Sequence, residues 1–359
     1  MSQFDKIWNE ELIRVNEALE SYFDMKIKTI GRLGPWHVQF YENIKEYLMR
    51  GGKRLRPVLV AIGYKAIRDQ IEIDHLYRAA CSVEILHNGS LLHDDLIDHD
   101  ETRRGGKTFH ATYRDMYKQK SQDNEKAKDF GMTMAILGGD SLLNMGAKII
   151  SDSHLDPEVA VKCLEYYQTS FQNLADGVML EMTMVNQPDI TPEVYLEMVA
   201  LKTAVLFDKS LLIGATMAGA NESQISALSE FGVKVGQAFQ IQDDILGSFG
   251  DESKTGKPTD GDIREGKKTM LVINAYRTAN KEQKAALDTL LGKTHMSNEE
   301  VEKVRSIFVE SGALDSTRNL MNQLLEEGQT ALERAKPALN SKYKEFLLEL
   351  SEFLTKRDF

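Results

Sequence analysis

The 359-residue sequence predicts an all-α protein built around buried helices. Apolar residues recur at spacings of three and four through most of the chain, and strand-like alternation bounded by turn residues is absent. The chain contains only seven prolines, and no stretch rich in Pro, Gly and Ser separates one half from the other. We therefore expect one domain over 1–359 with ten or more helices, the central ones apolar on most faces.

The predicted helices follow one another with short interruptions. In chain order they span 7–23, 38–49, 55–67, 76–97, 132–150, 159–184, 194–217, 225–246 and 270–276, and shorter segments continue to 353. Thr191 and Ser297 each precede an acidic first turn and are predicted N-caps. Three stretches break the pattern: a basic glycine turn at 51–57, a polar stretch at 115–129 and a long loop at 247–268. The polar stretch should be a solvated loop or a frayed helical extension, and a loop as long as the third is often a lid.

Composition and charge exclude several functions. The formal net charge of −11 argues against a nucleic-acid-binding protein, because the phosphate backbone recruits a basic surface. Only Cys81 and Cys163 are present, and both fall in helical patterns, so we expect a reducing compartment. The first residues do not resemble a signal peptide, and no uncharged run approaches the roughly 18 residues of a membrane span. We expect a cytoplasmic protein with no transmembrane segment.

Two aspartate clusters, each at the end of a long apolar run, carry most of the functional information. The first contains Asp94, Asp95 and Asp98, and the second contains Asp243 and Asp244. Residues three and four apart share a helix face, so the first cluster should crowd its carboxylates into one small volume. Two unit charges about 4 Å apart repel by ~4 kcal/mol at an effective dielectric of about 20, and folding alone does not reward that cost. A hard divalent cation, held by the carboxylates together with substrate phosphates, offsets this repulsion. The clusters therefore predict a site for Mg²⁺ and a diphosphate.

Basic residues lie beside both clusters and in two further places. They are Arg103 and Arg104, Lys257 and Lys267, Lys53 and Arg56, and Lys202. Arginine binds a phosphate with two donors, and lysine acts as a point charge. Taken singly, the arginine pair is more readily a solvated helix end, Lys202 a snorkelling side chain and His87 a satisfied core residue. The combination with two carboxylate clusters favours a diphosphate site.

These motifs resemble those of the trans-isoprenyl diphosphate synthases, or polyprenyl synthetases, over nearly the whole chain from about residue 41. The turn at 51–57 resembles the first basic motif of this family, and 84–105 resembles its first aspartate-rich motif. Lys202-Thr203 matches its lysine–threonine pair, and 239–269 resembles its second aspartate-rich motif and lid. The resemblance implies the isoprenoid synthase fold, a single large helical bundle around a central product cavity.

The resemblance also implies a role for each matching residue. Three Mg²⁺ ions on the diphosphate of an allylic substrate would be held by Asp94, Asp95, Asp98 and Asp243. The same diphosphate would be contacted by Arg103, Lys202, Lys257 and Lys267. The diphosphate of isopentenyl diphosphate would be bound by Lys53, Arg56, His87 and Arg104. The developing carbocation would face Thr203 and Gln240, and the catalytic set is completed by Asp244.

These roles imply a Mg-dependent trans-prenyltransferase that condenses isopentenyl diphosphate head-to-tail with allylic diphosphates. The family usually forms homodimers, and we expect one here. The second aspartate-rich motif departs from the family pattern at Gly247, where many members carry a third aspartate, and the stretch at 115–129 resembles an insertion. An apolar product could bring the protein into peripheral contact with a membrane.

Product length depends in this family on the residue five positions before the first aspartate, where a large aromatic side chain stops growth early. Here that residue is Gly89, with Ser90 beside it, so we expect geranylgeranyl diphosphate (C20) or a longer product, to about C35. Gly89 could instead merely permit close helix packing. A deeper floor limiting the product to twenty carbons could come from Ile85, Leu86 or the methionines Met179, Met182 and Met184.

Two other functions fit parts of the pattern. A class I terpene cyclase also ionises a diphosphate with aspartates and Mg²⁺, but it needs no site for isopentenyl diphosphate, which leaves Lys53, Arg56 and His87 unexplained. A non-catalytic regulatory subunit of a prenyl synthase can lose aspartates, whereas both clusters are intact here. Both alternatives therefore rank below the prenyltransferase.

Overall fold

The computed structural model describes residues 2–68, 73–185, 187, 189–250 and 260–355. Its regular structure is almost entirely helical, which confirms the all-α prediction. The helices of the first half are α1 Gln3–Ile30, α2 Pro35–Met49, α3 Leu55–Lys65, α4 Ile73–Ile97, α5 Phe109–Lys118, α6 Asn124–Ser151 and α7 Pro157–Met184. Those of the second half are α8 Pro192–Val199, α9 Val205–Met217, α10 Glu222–Phe249, α11 Gly261–Glu265, α12 Met270–Thr278, α13 Lys281–Leu290, α14 Asn298–Glu310, α15 Ala313–Leu332 and α16 Ser341–Thr355.

The chain divides into two compact units. The first unit comprises Met1–Gln168 and Ser210–Ala220, and the second comprises Thr169–Lys209 and Asn221–Phe359. The expectation of one domain over the whole chain stays a prediction.

In the first unit, α4 packs along α6 and also contacts α1 and α3. The N-terminal helix is tied down by a buried polar cluster in which Lys65 pairs with Glu11. The Tyr77 hydroxyl donates to Glu11 Oε2 at 2.7 Å. A buried charge pair of this kind is tolerated only when its geometry is satisfied, so the cluster fixes how α1 meets the other helices.

In the second unit, α10 packs along α15. Their core continues into α12 and α14 through fully buried side chains such as Ile241, Leu271 and Phe308. Both predicted helix starts are confirmed: the side chain of Thr191 accepts a hydrogen bond from the Val194 amide, and Ser297 forms a capping box with Glu300. These caps satisfy backbone donors that a helix leaves open at its first turn.

Three local features differ from the sequence prediction. A two-residue hairpin pairs Thr102–Arg103 with Gly106–Lys107. The polar stretch at 115–129 is mostly helical, because α5 runs to Lys118 and α6 begins at Asn124. The predicted loop at 247–268 begins inside α10 and contains α11, and its residues 251–259 lie outside the described part of the chain.

Within the described part, no helix is both long enough and apolar enough to cross a membrane.

Candidate active site

The first aspartate cluster lies at the C-terminal end of α4. Asp94 is half-buried, Asp95 is completely buried and Asp98, just past the helix end, is exposed. Asp94 and Asp98 are one helical turn apart and share a face, as predicted. The prediction that all three carboxylates crowd into one volume is wrong for Asp95, because the helix turns by about 100° between adjacent residues and so places this side chain on a different, inward face.

Both carboxylate oxygens of Asp95 are bonded inside the first unit. The Tyr47 hydroxyl, from α2, donates to Oδ2 at 2.7 Å, and Arg103 Nε donates to Oδ1. Burial and the neighbouring carboxylate raise the pKa of Tyr47, so its phenol stays protonated and keeps donating. Burial opposes the charge on Arg103, but Asp95 raises its pKa overall.

Arg103 and Arg104 belong to the hairpin rather than to a helix end. Arg104 and Gly105 form its turn with positive φ of 51° and 74°, the conformation of a tight two-residue hairpin connection. Such a turn accepts glycine readily and other residues at a cost, which explains the Arg-Gly-Gly sequence here. The turn sends the two arginine side chains to different partners.

Arg104 reaches the basic glycine turn at 51–57. Its Nη1 donates to the Gly51 carbonyl at 3.0 Å. A Cβ added at Gly52, where φ is +119°, would lie 3.3 Å from the Arg104 guanidinium carbon. The glycines therefore allow both the turn and the close approach of the arginine.

The residues expected to bind isopentenyl diphosphate lie together in the first unit. Burial lowers the pKa of His87 well below its ordinary value, and the nearby positive charges of Arg56 and Arg104 lower it further. His87 is therefore neutral beside two guanidinium groups at pH 7. Lys53 is exposed in the same turn, between the glycines and Arg56. This group of three positive side chains and one neutral imidazole suits a multiply charged anion.

A buried ion pair between Arg54 and Glu84 anchors the basic turn to α4. Arg54, with φ of 48°, directs Nη1 to Glu84 Oε1 at 2.8 Å and Nε to Asn16 Oδ1 at 3.0 Å. Asn88 Nδ2 donates to the same Glu84 oxygen at 3.0 Å. Because Glu84 and Asn88 lie on α4, this network fixes the turn to the helix that carries Asp94.

In the second unit, the predicted site residues of α10 form a chain of hydrogen bonds. Thr203 Oγ1 donates to Gln240 Oε1 at 2.8 Å, and Gln240 Nε2 donates to Asp244 Oδ1 at 2.9 Å. Asp244 Oδ2 accepts from the Tyr195 hydroxyl at 2.5 Å. Burial, together with the negative charge of Asp262, raises the pKa of Asp244 to about 7. Asp243, its neighbour, is half-buried.

Lys202 and Thr203 lie in a π-helical turn, Ala200–Ala204, between α8 and α9. Single π turns inside α-helices are frequent at functional sites because they redirect side chains. Helix α7 lies close to this turn, since a Cβ added at Gly177 would lie 2.6 Å from the backbone nitrogen of Lys202. One turn farther along α7, Glu181 forms an ion pair with Lys202. Lys202 is thus a fixed charge rather than a loosely snorkelling side chain.

The position where many family members carry a third aspartate is filled from another helix. A Cβ added at Gly247 would lie 2.5 Å from Asp262 Oδ2. Asp262 is paired in turn with Lys267, whose Nζ is 3.4 Å from Asp262 Oδ1. Opposing burial, the charges of Asp262 and Glu265 raise the pKa of Lys267. Lys257 lies outside the described residues.

The two residues linked to product length are both inside the first unit. A Cβ added at Gly89 would lie 3.1 Å from Leu142 Cβ and 3.2 Å from the Gly139 carbonyl oxygen, so Gly89 marks a close crossing of α4 and α6. Ser90 is buried, and its hydroxyl donates to the His87 carbonyl at 2.8 Å. Of the methionines suggested as a deeper floor, Met184 is buried in the second unit, whereas Met179 and Met182 are exposed.

The carboxylates fit a hard divalent cation only in part. In the described residues, no group of three or more His, Cys, Asp and Glu side chains could hold a metal ion alone. Asp94 and Asp98 in the first unit, and separately Asp243 in the second, carry carboxylate oxygens at half-buried or exposed positions. Mg²⁺ is commonly held in this way, by one or two carboxylates with waters and substrate phosphates completing the octahedron.

Sequence reasoning missed the residues that hold the expected site residues in place. They are Tyr47, Glu84, Glu181, Tyr195 and Asp262. Four of them lie at least 21 residues from their partners in the sequence, and Asp262 lies inside the second motif without being singled out there. Helical phase is the one hint that could have pointed to such partners. It places Asp95 in line with buried Leu92 and Asn88, so this carboxylate needs donors from other helices.

Comparison with known proteins identifies close relatives. A family model described as polyprenyl synthetase matches residues 38–308. The geranylgeranyl diphosphate synthase of Sulfolobus acidocaldarius is 34% identical over 322 residues, which are 89% of this chain and 88% of that protein. The geranylfarnesyl diphosphate synthase of Aeropyrum pernix is 34% identical over 310 residues, covering 86% of this chain and 91% of that protein.

Solved structures agree with this assignment. The geranylgeranyl pyrophosphate synthase of Corynebacterium glutamicum, complexed with isoprenyl diphosphate and magnesium, superposes with a TM-score of 0.87 at 28% identity, covering 96% of this chain and 98% of that one. The geranylgeranyl pyrophosphate synthetase of Pyrococcus horikoshii superposes with a TM-score of 0.82 at 29% identity, covering 99% and 98%.

Proposed function

Since this chain belongs to the polyprenyl synthetase family and is a trans-prenyltransferase, we propose that it condenses isopentenyl diphosphate head-to-tail with allylic diphosphates to give all-trans products of twenty carbons or more. The observation that carries the proposal is the group of His87, Arg56 and Arg104 around the basic turn. A group of cationic side chains beside the aspartate helix is what a second diphosphate substrate requires. A class I terpene cyclase has no use for it.

The chemistry divides between the two aspartate-rich motifs. The resemblance to the family implies that both motifs act on the allylic diphosphate, whose C–O bond must ionise. Bound Mg²⁺, which accompanies isoprenyl diphosphate in the Corynebacterium glutamicum relative, supplies Lewis-acid stabilisation of the leaving diphosphate. Asp94, Asp98 and Asp243 would hold it, and three ions per site are part of the proposal.

The remaining charge on the leaving group is met by this chain's own cations. Arg103 is fixed by Asp95, and Lys202 is fixed by Glu181, so neither has to reorganise as charge develops. Preorganised charges of this kind usually supply the largest share of transition-state stabilisation. Lys257 and Lys267 join them in the proposal as lid residues.

The carbocation left by ionisation needs weak electron donors and no nucleophilic water. Thr203 and Gln240 offer oxygen atoms whose orientation the Asp244 carboxylate fixes through Gln240. Attack by the double bond of isopentenyl diphosphate and loss of a proton then give a product longer by five carbons. The described residues of this site need no protein nucleophile for any of these steps.

A direct assay tests the proposal. Labelled isopentenyl diphosphate, farnesyl diphosphate and Mg²⁺ should yield labelled products of C20 to about C35 on chromatography. Arg56→Ala should raise the KM for isopentenyl diphosphate, and Lys202→Ala should chiefly affect the allylic substrate. Failure of the wild-type protein to incorporate any label would contradict the prenyltransferase activity and favour the silent regulatory subunit.

A homodimer is the assembly we propose. The first unit has an apolar concave face that encloses a volume of about 720 Å³. The end of α1 and parts of α2, α5 and α6 line it. Trp36 and Leu137 on this face are 52% and 51% exposed. Apolar patches of this kind on soluble proteins usually mark an interaction surface, and here a second copy would cover it.

Light scattering after size-exclusion chromatography checks the assembly. Leu137→Glu should shift the protein toward a monomer. Val161→Glu is the matched control, because Val161 is 66% exposed in the same unit but is not among the residues of the apolar face. A monomeric wild type, or equal behaviour of the two variants, would contradict the proposed interface. A reducing, cytoplasmic setting remains part of the proposal, on the two buried free thiols.

A further inference from the structure

The second aspartate of the first motif is an internal acceptor. Asp95 has no exposed surface, and its two oxygens accept from the Tyr47 hydroxyl and from Arg103 Nε. A carboxylate in this position has no open side to offer to a hydrated ion. Asp94 and Asp98, by contrast, lie at half-buried and exposed positions.

The second aspartate of the second motif has the same surroundings. Asp244 is 7% exposed and accepts from the Tyr195 hydroxyl at 2.5 Å and from Gln240 Nε2 at 2.9 Å. Gln240 in turn accepts from Thr203 at 2.8 Å. Asp243, one residue earlier, is half-buried.

The two units therefore repeat one arrangement with different parts. In each, a tyrosine from another helix, α2 or α8, donates to Oδ2 of the second aspartate. In each, Oδ1 of that aspartate accepts from a residue expected to meet substrate, Arg103 or Gln240. Hydrogen bonds to a buried carboxylate are strong and costly to lose, so each tyrosine controls the orientation of the group on the opposite oxygen.

We infer that Tyr47 and Tyr195 are positioning residues, which act through the internal acceptors Asp95 and Asp244 on side chains that face the substrate. The inference rests on the proposed function for the identity of the substrates. It assigns different tasks to the two tyrosines. Tyr47 acts through Asp95 on Arg103, which meets the allylic diphosphate, and Tyr195 acts through Asp244 on Gln240, which faces the carbocation.

These tasks predict a split between KM and kcat. Arg103 contacts the allylic diphosphate before and during ionisation, so Tyr47→Phe should raise the KM for farnesyl diphosphate about 10-fold and leave that for isopentenyl diphosphate unchanged. Gln240 acts only when positive charge develops. Tyr195→Phe should therefore lower kcat about 10-fold with both KM values retained.

Each variant has a control that loses a tyrosine–carboxylate hydrogen bond elsewhere, a buried one in the first unit and an exposed one in the second. The Tyr77 hydroxyl donates to Glu11 Oε2 at 2.7 Å in the first unit, and the Tyr276 hydroxyl donates to Asp288 at 2.8 Å in the second. Tyr77→Phe and Tyr276→Phe should alter the melting temperature at most, and keep kcat and both KM values. A merely structural role for Tyr47 would make Tyr47→Phe behave like Tyr77→Phe. A merely structural role for Tyr195 would lower the melting temperature of Tyr195→Phe and leave kcat and both KM values unchanged.

Metal binding supplies a second readout that does not depend on turnover. Isothermal titration calorimetry with Mn²⁺ in the presence of inorganic pyrophosphate gives the number of ions bound per chain. Asp95→Asn and Asp244→Asn should keep the wild-type stoichiometry, whereas Asp94→Asn and Asp243→Asn should bind fewer ions. Loss of an ion in either of the first two variants would overturn the inference, even if a tyrosine variant failed to fold.

Failure of this inference is distinguishable from failure of the proposed function. If wild-type protein does not incorporate isopentenyl diphosphate, the function is wrong. If it does, and Tyr47→Phe changes both KM values equally or Tyr195→Phe leaves kcat unchanged, the positioning roles are wrong.

Discussion

The buried ion pair of Arg54 and Glu84 should determine both the stability of the first unit and its affinity for isopentenyl diphosphate. The two side chains are 2% and 3% exposed, and their charged atoms are 2.8 Å apart. Glu84→Gln keeps the size of the side chain and one acceptor oxygen but removes the charge. Arg54 is then a buried cation whose remaining side-chain partners, Asn16 and Met49, are neutral.

The size of the effect follows from burial. Removing one partner of a buried ion pair lowers the free energy of unfolding by about 3–5 kcal/mol. Because the glutamine in Glu84→Gln would retain one acceptor oxygen, we expect the lower end of this range, about 3 kcal/mol. For a unit of this size that corresponds to a fall in Tm of about 6–12 °C. Because Lys53 and Arg56 flank Arg54 in the turn, a small displacement of the turn should also raise the KM for isopentenyl diphosphate about 10-fold or more.

Thermal unfolding by circular dichroism and steady-state kinetics with each substrate varied in turn measure both effects. Glu11→Gln is the matched control, because Glu11 and its partner Lys65 are also nearly fully buried in the first unit and lie outside the basic turn. It should lower Tm similarly while leaving both KM values unchanged. A Glu84→Gln enzyme with a lower Tm but an unchanged KM for isopentenyl diphosphate would refute the link between the ion pair and the turn.

Three further outcomes are expected. Asp243→Ala should lower kcat about 100-fold or more with a native circular dichroism spectrum, because it removes one charge-stabilising element; near-normal turnover in Mg²⁺ would contradict a metal role. Burial and the charges of Arg56 and Arg104 hold the pKa of His87 low, so the unfolded chain binds a proton below its ordinary pKa of about 6.5 that the folded chain does not; the stability measured by urea unfolding should fall between pH 7 and 5.5, less steeply in His87→Gln, and equal slopes would argue against the lowered pKa. Gly89→Phe should shorten the product by one or more isoprene units and also lower Tm, since overpacking costs about 1–3 kcal/mol; an unchanged product distribution would leave Gly89 with the packing role alone.

Much of the fold could be predicted because the helices are long and strongly periodic. The caps at Thr191 and Ser297 and the helix that ends in the first aspartate cluster follow from local side-chain chemistry alone. The hairpin at 102–107 could not be predicted, because two-residue strands are too short to show alternation. Its only signal is the Arg-Gly-Gly turn.

The supporting residues were beyond sequence reasoning for a different physical reason. Glu181 meets Lys202 only because Gly177 lets α7 approach the π-helical turn, and nothing in either sequence segment encodes that crossing. Asp262 lies over Gly247 because α11 packs against α10. Hydrogen bonds between helices depend on tertiary packing, which the period of one helix does not contain.

Helical phase does explain why two adjacent aspartates differ. Asp95 follows buried Leu92 by three residues and buried Asn88 by seven, so the period that buries those side chains also turns Asp95 inward. Asp244 has the same relation to buried Ile241 and Gln237. A buried carboxylate must be satisfied by donors from other helices, and a tyrosine hydroxyl provides one without introducing a second charge. The same phase keeps the preceding aspartate toward solvent, where an ion can reach it. Adjacent aspartates at the end of a buried helix are thus assigned different tasks by the 100° between them, one facing the substrate and one holding the site in place.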